Sequence, residues 1–105
     1  MRTFSVDLNA GGDTRYVAYF DGVRFPFGYG MCFLDHHNAD RRKRWLDRHQ
    51  HEEWNNPISE EALVRWIMWE ENTLPRAVAA YADRFGYKVV GPPNPQHADD
   101  APRRR

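Results

Sequence analysis

From Ala62 to Trp69 the chain reads Ala-Leu-Val-Arg-Trp-Ile-Met-Trp, apolar at every position except Arg65. A helix that is apolar nearly all round has no face to give to water, so it is buried on more than one side and the rest of the chain must wrap it. Ser59 stands in front of it as an N-cap, and Glu60 and Glu61 fall in the first turn, where carboxylates favour the helix dipole. This predicts a helix from Ser59 to Trp69 as the central element of the core.

Two further helices are expected around it. Asn38 is a good N-cap for one running to about Glu52, with a thin apolar stripe of Trp45 and Leu46 extended by His49. Thr73 caps the other, Pro75 sits in its first turn, and Gly86 ends it as a C-cap glycine. Between them Leu74, Ala77, Val78, Tyr81 and Phe85 repeat at helical spacing.

The N-terminal part alternates in the manner of strands. Residues 3–8 (TFSVDL) and 15–20 (RYVAYF) each form a strand, and Asp21-Gly22 is a strong two-residue hairpin signal. VRFPFG supplies a third, with Pro26 marking an edge or an end. Phe4, Val17, Tyr19, Phe25 and Phe27 are the candidate core residues of this meander. YKVV, after the last helix, reads as a short closing strand. The fold class is therefore α+β: a small antiparallel sheet, made of an N-terminal meander plus a short C-terminal strand, packed with three helices. Residues 1–90 make a single domain, and 91–105 a disordered Pro, Asp and Arg tail.

Composition narrows the setting. The 105 residues suffice for one domain, and 14% aromatic residues can supply its core. Cys32 is the only cysteine, so no intrachain disulfide forms and a reducing compartment is the default. No apolar run approaches the ~18 residues of a membrane helix, and the first residues lack the apolar stretch of a signal peptide. The expected location is cytoplasmic, the host cell interior in the viral reading below, with no membrane partner.

The net charge is zero, but it is unevenly placed. Residues 35–51 carry five bases and three acids, whereas residues 52–71 carry one base and six acids. The basic run DRRKRWLDRH therefore either offers Arg41, Arg42, Lys43, Arg44 and Arg48 to a partner, or is neutralised by Glu52, Glu53, Glu60, Glu61, Glu70 or Glu71. In the first case Trp45 would add a stacking face beside phosphate-binding arginines. In the second it is a core residue.

Taken as a set, YFDG and FG, then Asp40, Arg42, Lys43, Arg44, Trp45, Arg48, His49 and Trp54, then Arg65, Trp66, Met68, Trp69, Thr73 and Leu74, resemble a known pattern. It is that of a family of small uncharacterised proteins encoded by large double-stranded DNA viruses and phages. The resemblance covers roughly residues 15–80 and implies a viral, phage or prophage origin, not an activity. The chain departs from the pattern in its acidic ISEEALV segment and in its neutral total charge.

Catalytic chemistry finds little footing. Asp35, His36, His37, Asn38, His49 and His51 contain the letters of an HNH nuclease, but no second strand separates the histidines from the following helix. A zinc site needs four ligands at short paired spacings, and Cys32 with His36 is one such pair alone. The Gly28-Tyr29-Gly30 segment lacks the lysine and spacing of a phosphate loop. Neighbouring glutamates at 52–53, 60–61 and 70–71 splay apart on a helix instead of converging. Trp54, Trp66 and Trp69 could line a partner surface, although Trp66 and Trp69, three apart, are more simply core. The expectation is a non-enzymatic accessory protein of viral or phage origin, with no cofactor and no metal, that binds another macromolecule through the five basic residues. The partner expected first is a protein. Nucleic acid held through its phosphates comes second, and an HNH-like metal-dependent nuclease third.

Overall fold

The computed structural model describes residues 2–91. The tail expected beyond residue 91 lies outside them. Strands β1 (Thr3–Leu8), β2 (Tyr16–Phe20) and β3 (Val23–Phe27) form the antiparallel meander. Asp21 and Gly22, with φ of 51° and 82°, make the tight turn between β2 and β3. The closing strand β4 is short, Lys88–Val89, and pairs with Thr3 and Phe4 of β1 in parallel. The sheet order is β3-β2-β1-β4, so this α+β sheet is mixed and not antiparallel throughout.

Between β3 and β4 come α1 (Phe33–His36), α2 (Ala39–His49), α3 (Glu60–Leu63) and α4 (Leu74–Phe85). The caps are those of the local chemistry. The Asn38, Ser59 and Thr73 side chains accept from the backbone N–H groups of Arg41, Ala62 and Arg76, and Gly86 closes α4 in the left-handed region. Two boundaries differ from expectation. α2 ends at His49, three residues before Glu52, and the one-turn α1 precedes it unforeseen.

The central segment is buried as its composition requires: Ala62, Leu63, Ile67, Met68 and Trp69 are all in the core. It is α-helical only as far as Leu63. From Val64 to Met68 it widens into a π-helical turn, which lengthens the hydrogen-bond step to five residues. Trp66 and Trp69, expected as core, both pack there, Trp69 within the cluster and Trp66 partly buried against it, but the wider turn sets them on different neighbours. Trp69 packs on Trp45, and Trp66 turns toward Arg65 and Arg84.

The register decides which strand residues meet the helices. Phe4 stands opposite Phe20, Leu8 opposite Tyr16, and Tyr16 opposite Phe27, so these share a face. Tyr16, Ala18 and Phe20 are the β2 residues in the helix-packed core. Val17 and Tyr19, expected as core, fall on the opposite face by the two-residue period, where Val17 is still buried at 3% exposed and Tyr19 is half-buried. Phe4 is fully buried, with its ring 4.6 Å from that of Tyr81, 5.3 Å from Phe20 and 5.7 Å from Tyr87. It thus joins β1, β2, α4 and the approach to β4. Replacing Phe4 by Ala is expected to lower unfolding stability by about 3–5 kcal/mol, measured by denaturant unfolding followed through tryptophan fluorescence.

Candidate interaction surface on the basic helix

The 3.6-residue period of α2 sorts the five basic residues into different environments. Arg42 turns inward, its Nε donating to the Trp69 carbonyl at 2.7 Å and its terminal nitrogen to Glu70 Oε1 at 2.6 Å. Its guanidinium also lies 5.6 Å from the centre of the Phe33 ring. Lys43 forms an exposed i,i+4 pair with Asp47 at 3.1 Å. Arg41, Arg44 and Arg48, at i, i+3 and i+7, share one exposed face. Among the described residues their side chains make no ion pair or hydrogen bond. Arg42 is thus the basic residue that is neutralised by the acidic segment, and it is so through Glu70 alone.

Glu70 Oε1 serves two guanidinium groups, since Arg65 also donates to it at 2.7 Å. Burial pushes the Glu70 carboxyl up, but Arg65 and Arg42 outweigh it and hold the group below its usual range. Burial pulls Arg65 down, and Glu70 opposes that pull. Arg65 also lies 4.0 Å from the centre of the Trp66 ring and 4.9 Å from that of Trp54, and Arg84 covers Trp66 at 3.5 Å. The Trp66 Nε1 donates to the Trp54 carbonyl at 2.8 Å. These tryptophans are therefore held by the chain's own cations.

Trp45 is 9% exposed and no free stacking platform. Its ring lies parallel to Trp69 at 5.0 Å and to His49 at 4.2 Å, and His49 Nδ1 bonds the Trp45 carbonyl at 2.8 Å. The exposed aromatic beside the arginines is instead Tyr29, 66% exposed, followed by Met31 at 64%. Both sit in the loop between β3 and α1, held from two sides. At one end Gly28 comes down on Met68, where φ of +91° and a Cβ that would lie 2.8 Å from Met68 Sδ admit only glycine. At the other, Arg15 donates to the Gly30 carbonyl at 3.0 Å and to both carboxylate oxygens of Asp35, and Asp35 in turn accepts from the Cys32 N–H at 2.7 Å. The Arg15 guanidinium holds the Asp35 carboxyl well below the usual carboxylate range.

Two open grooves result, side by side. One, of about 420 Å³, is lined by Arg41, Arg44 and Arg48 with Met31; the other, of about 430 Å³, by Glu52, Glu60 and Glu61 with His49. They share Tyr29, Trp45 and Val64 as a common wall. The basic and acidic segments thus meet along this wall without cancelling. Tyr29 and Met31 were missed from the sequence, where Gly-Tyr-Gly was weighed only as a phosphate loop. Large side chains between chain-turning glycines were the available signal.

Of the groups weighed for catalysis, two histidines make backbone contacts, with His36 Nε2 left buried and without a partner among the described residues. His36 Nδ1 accepts from the Asn38 N–H at 2.9 Å, and His37 Nε2 contacts the Asn72 carbonyl at 2.9 Å. Cys32 is buried, which pushes its thiol up to about 11 and disfavours the thiolate. Among the described residues no three His, Cys, Asp or Glu side chains converge as a metal site, and no helix is long and apolar enough to cross a membrane. No family model, curated protein or solved structure matches the chain, so the resemblance to viral and phage proteins rests on its motifs alone.

Two outcomes are expected. Glu70→Ala leaves Arg65, 11% exposed, without its carboxylate and should destabilise the fold by about 1–3 kcal/mol, less than for a fully buried pair because Glu70 itself is 31% exposed. Arg44→Ala should stay within about 0.5 kcal/mol of the wild type. Thermal and denaturant melts of the two variants check this contrast. The folded Asp35 carboxyl takes up its proton less readily than the unfolded one, whose ordinary value is 3.8. Its contribution is therefore complete above that value and fades as pH falls through the folded value. The stability gap between wild type and Asp35→Asn, followed from about pH 6 down to about pH 2, should narrow on acidification.

Proposed function

We propose that the protein is a non-enzymatic binding module that engages a protein partner of complementary charge through Arg41, Arg44 and Arg48. The observation that carries this reading is the set of three unpaired guanidinium groups on one helix face, separated by the exposed Tyr29 from an equal number of carboxylates. Charges left unpaired at an exposed surface contribute little to folding. Arranged in complementary patches they steer and orient association. The motif resemblance supports reading the module as an accessory protein of viral or phage origin.

Nucleic acid is the second reading, favoured by the helical spacing of the arginines beside an exposed aromatic ring. A phosphate backbone laid along the basic groove would, however, run beside Glu52, Glu60 and Glu61, which repel it. Arg42 and Lys43, included among the binding residues from sequence, contribute less because each already has a carboxylate partner.

Photo-crosslinking tests the choice. With benzoylphenylalanine in place of Met31 and irradiation in the producing cell, the expected product is a protein adduct that resists nuclease and disappears in an Arg41/Arg44/Arg48→Glu background. A nuclease-sensitive adduct would move the assignment to nucleic acid, with the steep salt dependence that phosphate contacts impose. Absence of any adduct would overturn both.

A further inference from the structure

We infer that the partner which fits this surface is a second copy of the chain, docked about a twofold axis lying along the wall between the two grooves. The inference rests on reading the α2 face as a binding surface and names its occupant. A twofold rotation about an axis in the contact plane exchanges the two sides of a patch. Arg41, Arg44 and Arg48 of one copy then meet Glu52, Glu60 and Glu61 of the other, and the same contact repeats across the axis.

Three features support self-association over an unrelated partner. The patch is self-complementary in number, three guanidinium groups against three carboxylates, which a foreign surface would have no reason to require. The chain has zero net charge, so no overall repulsion opposes the approach of two copies. The seam is apolar where an interface centre needs it to be: Tyr29 and Met31 are each about two-thirds exposed, and Trp45 and Val64 form the floor shared by both grooves. Tyrosine and methionine are enriched at such centres, and the charges are left to the rim. The acidic side is open to receive a partner. Glu60 and Glu61 are exposed with no side-chain partner among the described residues, whereas Glu52, 25% exposed, already lies 3.9 Å from a ring nitrogen of His49 and contributes least.

Charge exchange between two variants tests the arrangement. Arg44→Glu with Arg48→Glu makes both sides of the patch acidic, and Glu60→Lys with Glu61→Lys makes both sides basic. Circular dichroism and tryptophan fluorescence establish that each variant folds. By sedimentation equilibrium at low salt, wild type is expected at twice the monomer mass, with its dissociation constant rising at least about tenfold at ~1 M salt, where the Debye length is about 3 Å. Each variant alone should be monomeric, and an equimolar mixture should recover the dimer. A wild type that remains monomeric at low salt overturns the inference, as does a dimer indifferent to both charge changes. A monomer that still gives the nuclease-resistant Met31 adduct in cells would sink the second copy and leave the binding reading standing. Loss of both results would remove both.

Discussion

One carboxylate organises the helical half of this protein. Glu70 Oε1 receives Arg42 from α2 and Arg65 from the π-helical turn, tying a basic helix to the segment it covers. An arginine at that depth needs a partner, because desolvation alone opposes its charge. Two guanidinium groups on one carboxylate leave a net positive charge, which the rings of Trp54, Trp66 and Phe33 help to accommodate. With Arg42 fixed inward, the helical period dictates that Arg41, Arg44 and Arg48 point elsewhere. The exposed pattern is a by-product of this internal clasp.

The same logic extends to the neighbouring loop. Asp35 fixes Arg15 and the start of α1, Gly28 lets the backbone settle on Met68, and the side chains left over, Tyr29 and Met31, are pushed outward. A surface with both charges and an apolar seam thus arises from three anchors that join segments distant in sequence, each with an identifiable physical origin.

What was legible in the sequence follows the range of the interactions involved. Asn38, Ser59, Thr73 and Gly86 could be read as caps because a cap is a contact within one turn of chain. The Asp21-Gly22 turn was legible for the same reason. The face of β2 was not, because both alternating sets, Tyr16, Ala18, Phe20 and Val17, Tyr19, are apolar or aromatic, and only pairing with β1 breaks the tie. The π winding of residues 64–68 was equally hidden, since an all-apolar run looks the same at either pitch. The basic run could be seen as a candidate surface, but the inward turn of Arg42, which sets it apart from the three arginines without a partner among the described residues, depends on Glu70, far along the chain.

The parallel pairing of β4 bears on how the molecule is made. Thr3 and Phe4 find Lys88 and Val89 across nearly the whole described chain, the most distant contact in the sheet. Contacts of that separation carry the largest loop-closure entropy and form late. The hairpins of β1, β2 and β3 are local and can form early, so an intermediate lacking α4 would present the outer edge of β1 as an open strand, next to the uncovered Phe4 ring. An exposed strand edge beside apolar surface is where one chain recruits another into aggregates. Docking of α4, which carries Tyr81 onto Phe4 and leads β4 onto Thr3 and Phe4, covers the ring and the first two residues of that edge.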